Sequence, residues 1–296
     1  MSVFERNVTM IGFGSVAKCV LPMLIKDGYV DPHRVTVIDY VPKEAALKSF
    51  IAQGVKYVQK KIEPDTLDSI LSAHTKPGDF VVDLAWNIGA IDIIGWCHDH
   101  DILYMNTSVE VWDSQSEMYT ASPEKKSLYH RQMGLRNMTR TWPQNSPTAV
   151  VDFGANPGLI TAFTEKALVD IAHQAMSDGK YSIKDLVKIE EYAADKNFAK
   201  LAMILGVKVI HCSERDTQVS KIPKGVNEFL NTWSPEGFRE EGTAPAEMGW
   251  GTHEMKLPIN AFVPKKGPGN QIFLAQMGVI LMYDHSFLVM RFGGWS

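Results

Sequence analysis

Cysteine is scarce: 296 residues contain three, Cys19, Cys97 and Cys212, far apart and with no CxxC pair. An odd, dispersed set excludes a disulfide framework and fits a reducing compartment. No apolar run approaches the ~18 residues that a membrane-crossing helix needs. The opening residues lack a basic stretch followed by an apolar one, so no secretory leader and a cytoplasmic location are expected. Excess charge of one sign is also missing, with 30 basic against 34 acidic residues and a net charge of −4. A nucleic acid held on a general basic surface is therefore not an expected partner. Cys97-His98-Asp99-His100 has metal-ligand residue types, but adjacent side chains point different ways and no second cluster accompanies them. It reads as a helix end, and no metal is expected. What remains is ordinary globular composition, 45% hydrophobic and 22% charged, in a length that suits about two domains of ~150 residues.

The first half alternates two patterns. Apolar runs at 8–13, 35–38, 80–85, 102–105 and 149–153, with a weaker one at 55–58, read as strands buried on both faces. Helical segments at 16–26, 43–53 and 64–73 separate them, punctuated by clusters such as Lys76-Pro77-Gly78-Asp79. Repeated β-α units predict an α/β fold, a Rossmann-type doubly wound parallel sheet. Beyond Gly154 the pattern changes. Asn156 is expected to cap a helix running to about Met176, with Pro157 at its first position. A second helix at 198–205 should end on Gly206 as a left-handed cap, followed by a strand at 207–212. Residues 231–253 lack periodicity and read as an ordered functional loop containing Trp233 and Trp250. The apolar tail, 272–282 and 287–292, should be buried in the sheet of a second α+β substrate and dimerisation domain or in a homodimer interface. The expected domains are 1–155 and 156–296.

Val8-Thr9-Met10-Ile11 leads into Gly12-Phe13-Gly14-Ser15-Val16-Ala17, a G-x-G-x-x-A dinucleotide fingerprint between a strand and a helix. Gly12 permits the tight turn, Gly14 lets the backbone approach a pyrophosphate, and Ala17 allows close helix–strand packing. The N–H groups of Ser15 and Val16 begin a helix whose free end suits phosphate oxygens. Asp39 ends the next strand, 22 residues past Ala17, where a carboxylate reads the adenosine ribose diol and repels a 2′-phosphate. NAD is thus the expected cofactor. Asn87 and Thr107 lie past the ends of the fourth and fifth strands, where ribose or nicotinamide contacts fall in this architecture.

Met10 to Ala17, Gly154-Ala155-Asn156-Pro157-Gly158, Leu205 to His211, Ser213 to Gln218, Asn231-Thr232-Trp233-Ser234-Pro235 and Ala244 to Glu254 form a set of segments. Together they resemble bacterial homospermidine synthase, a relative of the saccharopine dehydrogenase-like oxidoreductases. The resemblance covers most of residues 5–265, and the family's longer C-terminal portion has no recognised counterpart here. It implies joining of two putrescines to homospermidine with release of ammonia, using NAD that is not consumed. By motif, Asn156, Glu214, Trp233 and Glu241 fall at amine-binding positions, as does Glu110. Glu236 or Glu240 could take the role of Glu241.

The residue chemistry agrees. A diamine presents two ammonium groups on an apolar tether, so its site needs carboxylates and an aromatic wall. Glu110, Glu214, Glu236 and Glu241 offer the charge, and Trp233 a π face worth ~0.5–2 kcal/mol to a cation. Proton transfer near neutrality falls to a buried Glu or to His253. A homodimer is the expected assembly. The competing reading is an NAD(P)-dependent amine or amino-acid dehydrogenase of the same superfamily.

Overall fold

The computed structural model describes residues 3–112, 122–213, 215, 217, 221–228, 242–251, 253–267 and 269–277. The chain divides into two units, one formed by residues 1–120 and 130–157, the other by 121–129 and 158–296. Among its described residues the first unit holds six strands: β1 (Val8–Ile11), β2 (Val35–Asp39), β3 (Lys56–Gln59), β4 (Phe80–Asp83), β5 (Leu103–Asn106) and β6 (Ala149–Val150). All pair in parallel in the order β3-β2-β1-β4-β5-β6. The order reverses between β1 and β4, and in doubly wound sheets ligands bind outside the carboxyl ends of strands at that point.

The pleat explains why the strand runs are mostly apolar. Val8 and Met10 face one layer with Val35 and Val37, and there they meet Ala17 and Leu21 of α1 (Ser15–Lys26) and Leu47 of α2 (Glu44–Ile51). Ile11, Ile38 and Val81 turn to the other layer. They pack with Ile70 and Leu71 of α3 (Leu67–His74), Ile93 and Ile94 of α4 (Ala90–Asp99) and Leu135 of α5 (Leu128–Thr139). Side chains alternate at a period of two, so a strand covered on both faces is apolar at most positions; Thr9 and Thr36 within β1 and β2, and Asp39, Asp83 and Asn106 at strand ends, are the buried polar exceptions. Burying a single Leu such as Leu21 contributes about 1.5–3 kcal/mol.

In the second unit α6 (Leu159–Ser177), α7 (Ile183–Ala194) and α8 (Phe198–Ile204) pack around Leu168, Ala172, Ile189 and Leu201. Ser182 caps α7 by accepting from Asp185 N at 3.2 Å. At the end of α8, Gly206 takes φ +73°, while Val207 N and Gly206 N donate to Ala202 O and Met203 O, the expected left-handed cap. A separate antiparallel sheet has the order β7 (Pro245–Gly249), β9 (Gln271–Met277), β8 (Ala261–Phe262). Ile272, Phe273 and Leu274 are buried there, as expected of the start of the apolar tail; residues 278–296 lie outside the described ones.

Three local expectations are corrected. Asn156 does not cap α6: Gly158 does, at φ +122°, because Pro157 O is committed to Gly154 N at 2.8 Å in a preceding turn. Residues 207–212 form no strand, and Val209 stays exposed because no partner strand pairs with this segment among the described residues. Part of the expected aperiodic loop is strand β7, whose partner β9 begins more than twenty residues later.

Candidate active site

The fingerprint loop is built by close packing. Gly12 has φ +84°, and a Cβ there would lie 2.9 Å from Ala85 Cα and 3.1 Å from Leu84 C, backbone that cannot yield. Gly14 differs. Its φ is −86°, and a Cβ placed there meets nothing within 4 Å. The protein itself therefore leaves the space above Gly14 open. Gly14 caps α1 without a side-chain hydrogen bond, and the first turn of α1 contains no acidic residue, so its positive end is not neutralised. These features fit a dinucleotide pyrophosphate over Gly14, Ser15 and Val16.

Asp39 at the end of β2 is buried. Its Oδ2 accepts from Phe13 N at 2.7 Å and its Oδ1 from Val41 N at 2.8 Å. One side chain thus ties the glycine turn to the segment after β2. A carboxylate has about four acceptor sites, so two remain for a ribose diol. Asp39→Ala should lower NAD affinity at least tenfold, since hydrogen bonds to a charged group contribute ~1.5–3 kcal/mol. It should also move the NAD-to-NADP preference toward NADP. Titration with both nucleotides checks this, and an unchanged ratio would remove Asp39 from the ribose.

Past β4, Asn87 adopts φ +59° in the turn leading to α4. Past β5, Thr107 lies beside Gly154, whose Cβ would be 3.6 Å from Thr107 Cβ. This brings the 107–112 loop against the turn that carries Asn156. Ser108 Oγ donates to Glu110 Oε1 at 2.7 Å, and Ala90 N donates to Glu110 O at 3.1 Å, fixing Glu110 at the start of α4. Trp112 covers Gly89 and donates from Nε1 to Asp92 Oδ2 at 2.5 Å. Gly12, Gly14, Ser15, Val16, Asp39, Asn87, Thr107, Glu110 and Asn156 therefore all lie at or past the carboxyl ends of the strands of the first unit. His253 belongs to the second unit, over Gly251, with Nε2 3.6 Å from Glu254 Oε1. Glu214, Trp233, Glu236 and Glu241 lie outside the described residues.

Sequence reasoning gave no role to a set of polar residues beneath this site: Asp83, Tyr104 and Asn106, which are buried, and Asp152, which is half-buried. Burial pushes the Asp83 carboxyl up to about 7, against the opposing bonds from Tyr104 OH and Ala85 N; the Glu110 charge adds to the rise. Burial likewise raises Asp152. The available signal was a carboxylate closing the apolar run 80–83, a position any aliphatic residue would fill. Glu247 was also missed. It accepts from Leu128 N at 2.5 Å and Tyr129 N at 3.1 Å, capping α5, and from Gln271 Nε2.

Two family models tile the chain. The NADP-binding domain of saccharopine dehydrogenase matches residues 8–150, and the saccharopine dehydrogenase C-terminal domain matches 154–286. The chain belongs to the saccharopine dehydrogenase family. Within it, the homospermidine synthase of Blastochloris viridis is 36% identical over 280 residues, 93% of this chain and 55% of that protein. That of Mesorhizobium japonicum is 34% identical over 277 residues, 92% of this chain and 54% of the relative. The chain thus spans about half the length of these relatives. The crystal structure of the Legionella pneumophila homospermidine synthase in complex with NAD is similar with a TM-score of 0.73 and 29% identity, over 94% of this chain and 55% of that one. The chain is a homologue of homospermidine synthases with a Rossmann-type nucleotide-binding domain. Among the described residues, no helix is long and apolar enough to cross a membrane.

Proposed function

We propose that this chain binds NAD and carries out homospermidine synthase chemistry, joining two putrescines to homospermidine and ammonia. The observation that carries this reading is the identity of 36% to a homospermidine synthase across 93% of the chain, within which the fingerprint, Asp39 and Glu110 keep a coherent geometry. The family model is named for NADP, but Asp39 argues for NAD, because its carboxylate would repel a 2′-phosphate.

When bound, the nicotinamide would accept a hydride from the amine-bearing carbon and later return it, so the sum is redox-neutral. The chain's own residues would do the rest. Gly12, Gly14, Ser15 and Val16 would hold the pyrophosphate and Asp39 the ribose, with Asn87 and Thr107 beside the nicotinamide half. Glu110, Glu214 and one of Glu236, Glu240 and Glu241 would bind ammonium groups, and Asn156 would orient an amine. Trp233 would stabilise the cationic iminium more than the neutral amine, which is where binding energy accelerates a reaction. His253 would carry protons. The polyamine is the expected partner together with a second copy of the chain, since α6 exposes Leu159, Phe163 and Ile171. Sedimentation at twice the 33.1 kDa chain mass checks the homodimer; a monomer at micromolar concentration speaks against it.

The test is incubation with putrescine and NAD followed by mass analysis. Homospermidine and ammonia should form in equal amounts without net NADH. Trp233→Phe should keep part of the rate and Trp233→Ala nearly none, because Phe retains a weaker π face. Glu214→Gln should raise the putrescine KM while NAD binding stays normal. Wild-type turnover in both Trp233→Ala and Glu214→Gln would remove the amine site from this loop, and steady NADH release would favour a dehydrogenase.

A further inference from the structure

Beneath the proposed site, a chain of hydrogen bonds, buried at its centre and part-buried at its ends, joins three of its loops. Asp83 and Asn106 are register partners at the ends of β4 and β5. With Tyr104 they are almost wholly buried, at 3%, 1% and 1% exposure. Tyr104 OH donates to Asp83 Oδ2 at 2.8 Å, and Ala85 N donates to Asp83 Oδ1 at 3.2 Å. Asn106 Nδ2 donates to Tyr104 OH at 3.0 Å, and Asn106 Oδ1 accepts from Asp152 N at 2.9 Å. Phe153 N donates to Asn106 O at 3.1 Å. Asp152, held at φ +55°, then accepts from Val109 N at 2.9 Å and from Gln132 Nε2 at 3.4 Å.

The chain has a direction. A tyrosine hydroxyl has one proton, and it is donated in the hydrogen bond to Asp83 Oδ2. The hydroxyl oxygen is then free to accept, so the amide of Asn106 must turn its NH2 toward Tyr104. That leaves Asn106 Oδ1 facing Asp152 N–H. The opposite amide orientation would set two donors against each other at Asp152 and leave the Tyr104 oxygen opposite a second acceptor. Asp83 at one end and the Asp152 N–H at the other agree on one amide orientation, which ties the 152–157 turn to β4 and β5, and Asp152 in turn holds the 107–112 loop through Val109 N. Those segments carry Asn156, Thr107 and Glu110, and Ala85 leads to Asn87.

We propose that Asp83, Tyr104 and Asn106 are positioning residues, a one-way hydrogen-bond relay that sets the loops holding the cofactor and amine residues. The assignment of those loops to NAD rests on the function proposed above. Small misplacements of such groups weaken binding and catalysis out of proportion to the lost contact.

The test uses the full chain and Tyr104→Phe, which removes one oxygen and keeps the ring. The dissociation constant for NAD should rise about tenfold or more. Amide hydrogen exchange should accelerate in 107–112 and 152–157 while 80–83 and 103–106 keep their protection. A role confined to packing the sheet would instead loosen β4 and β5 together. Asn106→Asp, which keeps an acceptor toward Asp152 N but loses the donor toward Tyr104, should reproduce the same pattern. Unchanged NAD affinity together with unchanged exchange in Tyr104→Phe overturns the relay. Should that variant fold poorly, the wild type decides: Val109 and Asp152 amides must be protected like those of β5, and rapid exchange there overturns the proposal. Neither readout needs a diamine, so a failure to form homospermidine would count against the amine reading and leave this one readable.

Discussion

Gly14→Val should abolish measurable NAD binding and leave the protein folded. The backbone of Gly14 lies at φ −86°, accessible to any L-residue, and a Cβ there touches nothing within 4 Å. The only cost to the fold is a poorer helix cap, at most about 1 kcal/mol, which lowers the melting temperature by a few degrees. A valine at this point occupies the volume where a pyrophosphate must approach the start of α1, so affinity should fall more than a hundredfold, roughly 3 kcal/mol. Gly12→Ala should do the reverse. Its Cβ would press on Ala85 and Leu84 backbone from a left-handed φ of +84°. Left-handed strain of ~1–2 kcal/mol and overpacking of ~1–3 kcal/mol sum to a loss of roughly 2–5 kcal/mol in stability. Calorimetric NAD titration beside denaturant unfolding separates the two. Normal NAD binding by Gly14→Val would remove the fingerprint from the cofactor site.

The contrast shows which parts of this molecule can be read from sequence. The spacing of Gly12, Gly14 and Ala17 is legible because each answers a local demand, and Asp39 because the strand before it is short and apolar. Gly206 is legible for the same reason, since a helix end is a local event. The strand expected at 207–212 failed because an apolar run specifies burial only where a partner exists. Helix α7 was missed although Ile189, Tyr192 and Ala193 stand at helical spacing on the face that packs with Leu168 and Leu201.

Long-range polar partners were out of reach. Tyr104 meets Asp83 only because β4 and β5 are adjacent and in a particular register. Glu247 caps a helix that begins more than a hundred residues earlier. Their residue types are ordinary, and only the fold supplies their meaning. For the proposed amine site, what could be read was a resemblance carried by Trp233 and its neighbouring acids, while the bonds that hold the Glu110 loop appear only in the fold.

Asp83 should make the stability of the protein fall as pH rises from about 4 to 7. Its carboxyl lies near 7 in the fold, raised by burial and by the Glu110 charge, against an ordinary value of 3.8. A group raised in the folded state holds its proton more tightly there than in the unfolded chain. The stability it contributes is therefore complete below about pH 4 and lost as pH climbs through 7. Three units of displacement correspond to an upper bound of roughly 4 kcal/mol. The neighbours respond in kind, since the thiol of Cys97 and the hydroxyl of Tyr104 are both pushed up by burial and by the Asp83 charge. Asp83→Asn removes the titration but keeps one acceptor for Tyr104 OH, at the cost of the weaker bond from Ala85 N. The variant should be less stable than wild type at pH 4–5, by about 1–3 kcal/mol for the donor left unpaired. That deficit should shrink toward pH 8, where the wild type carries an ionised carboxylate in a dry site. Urea unfolding of both proteins across this range measures the difference directly. A constant difference from pH 4 to 8 would mean that Asp83 keeps the same charge throughout.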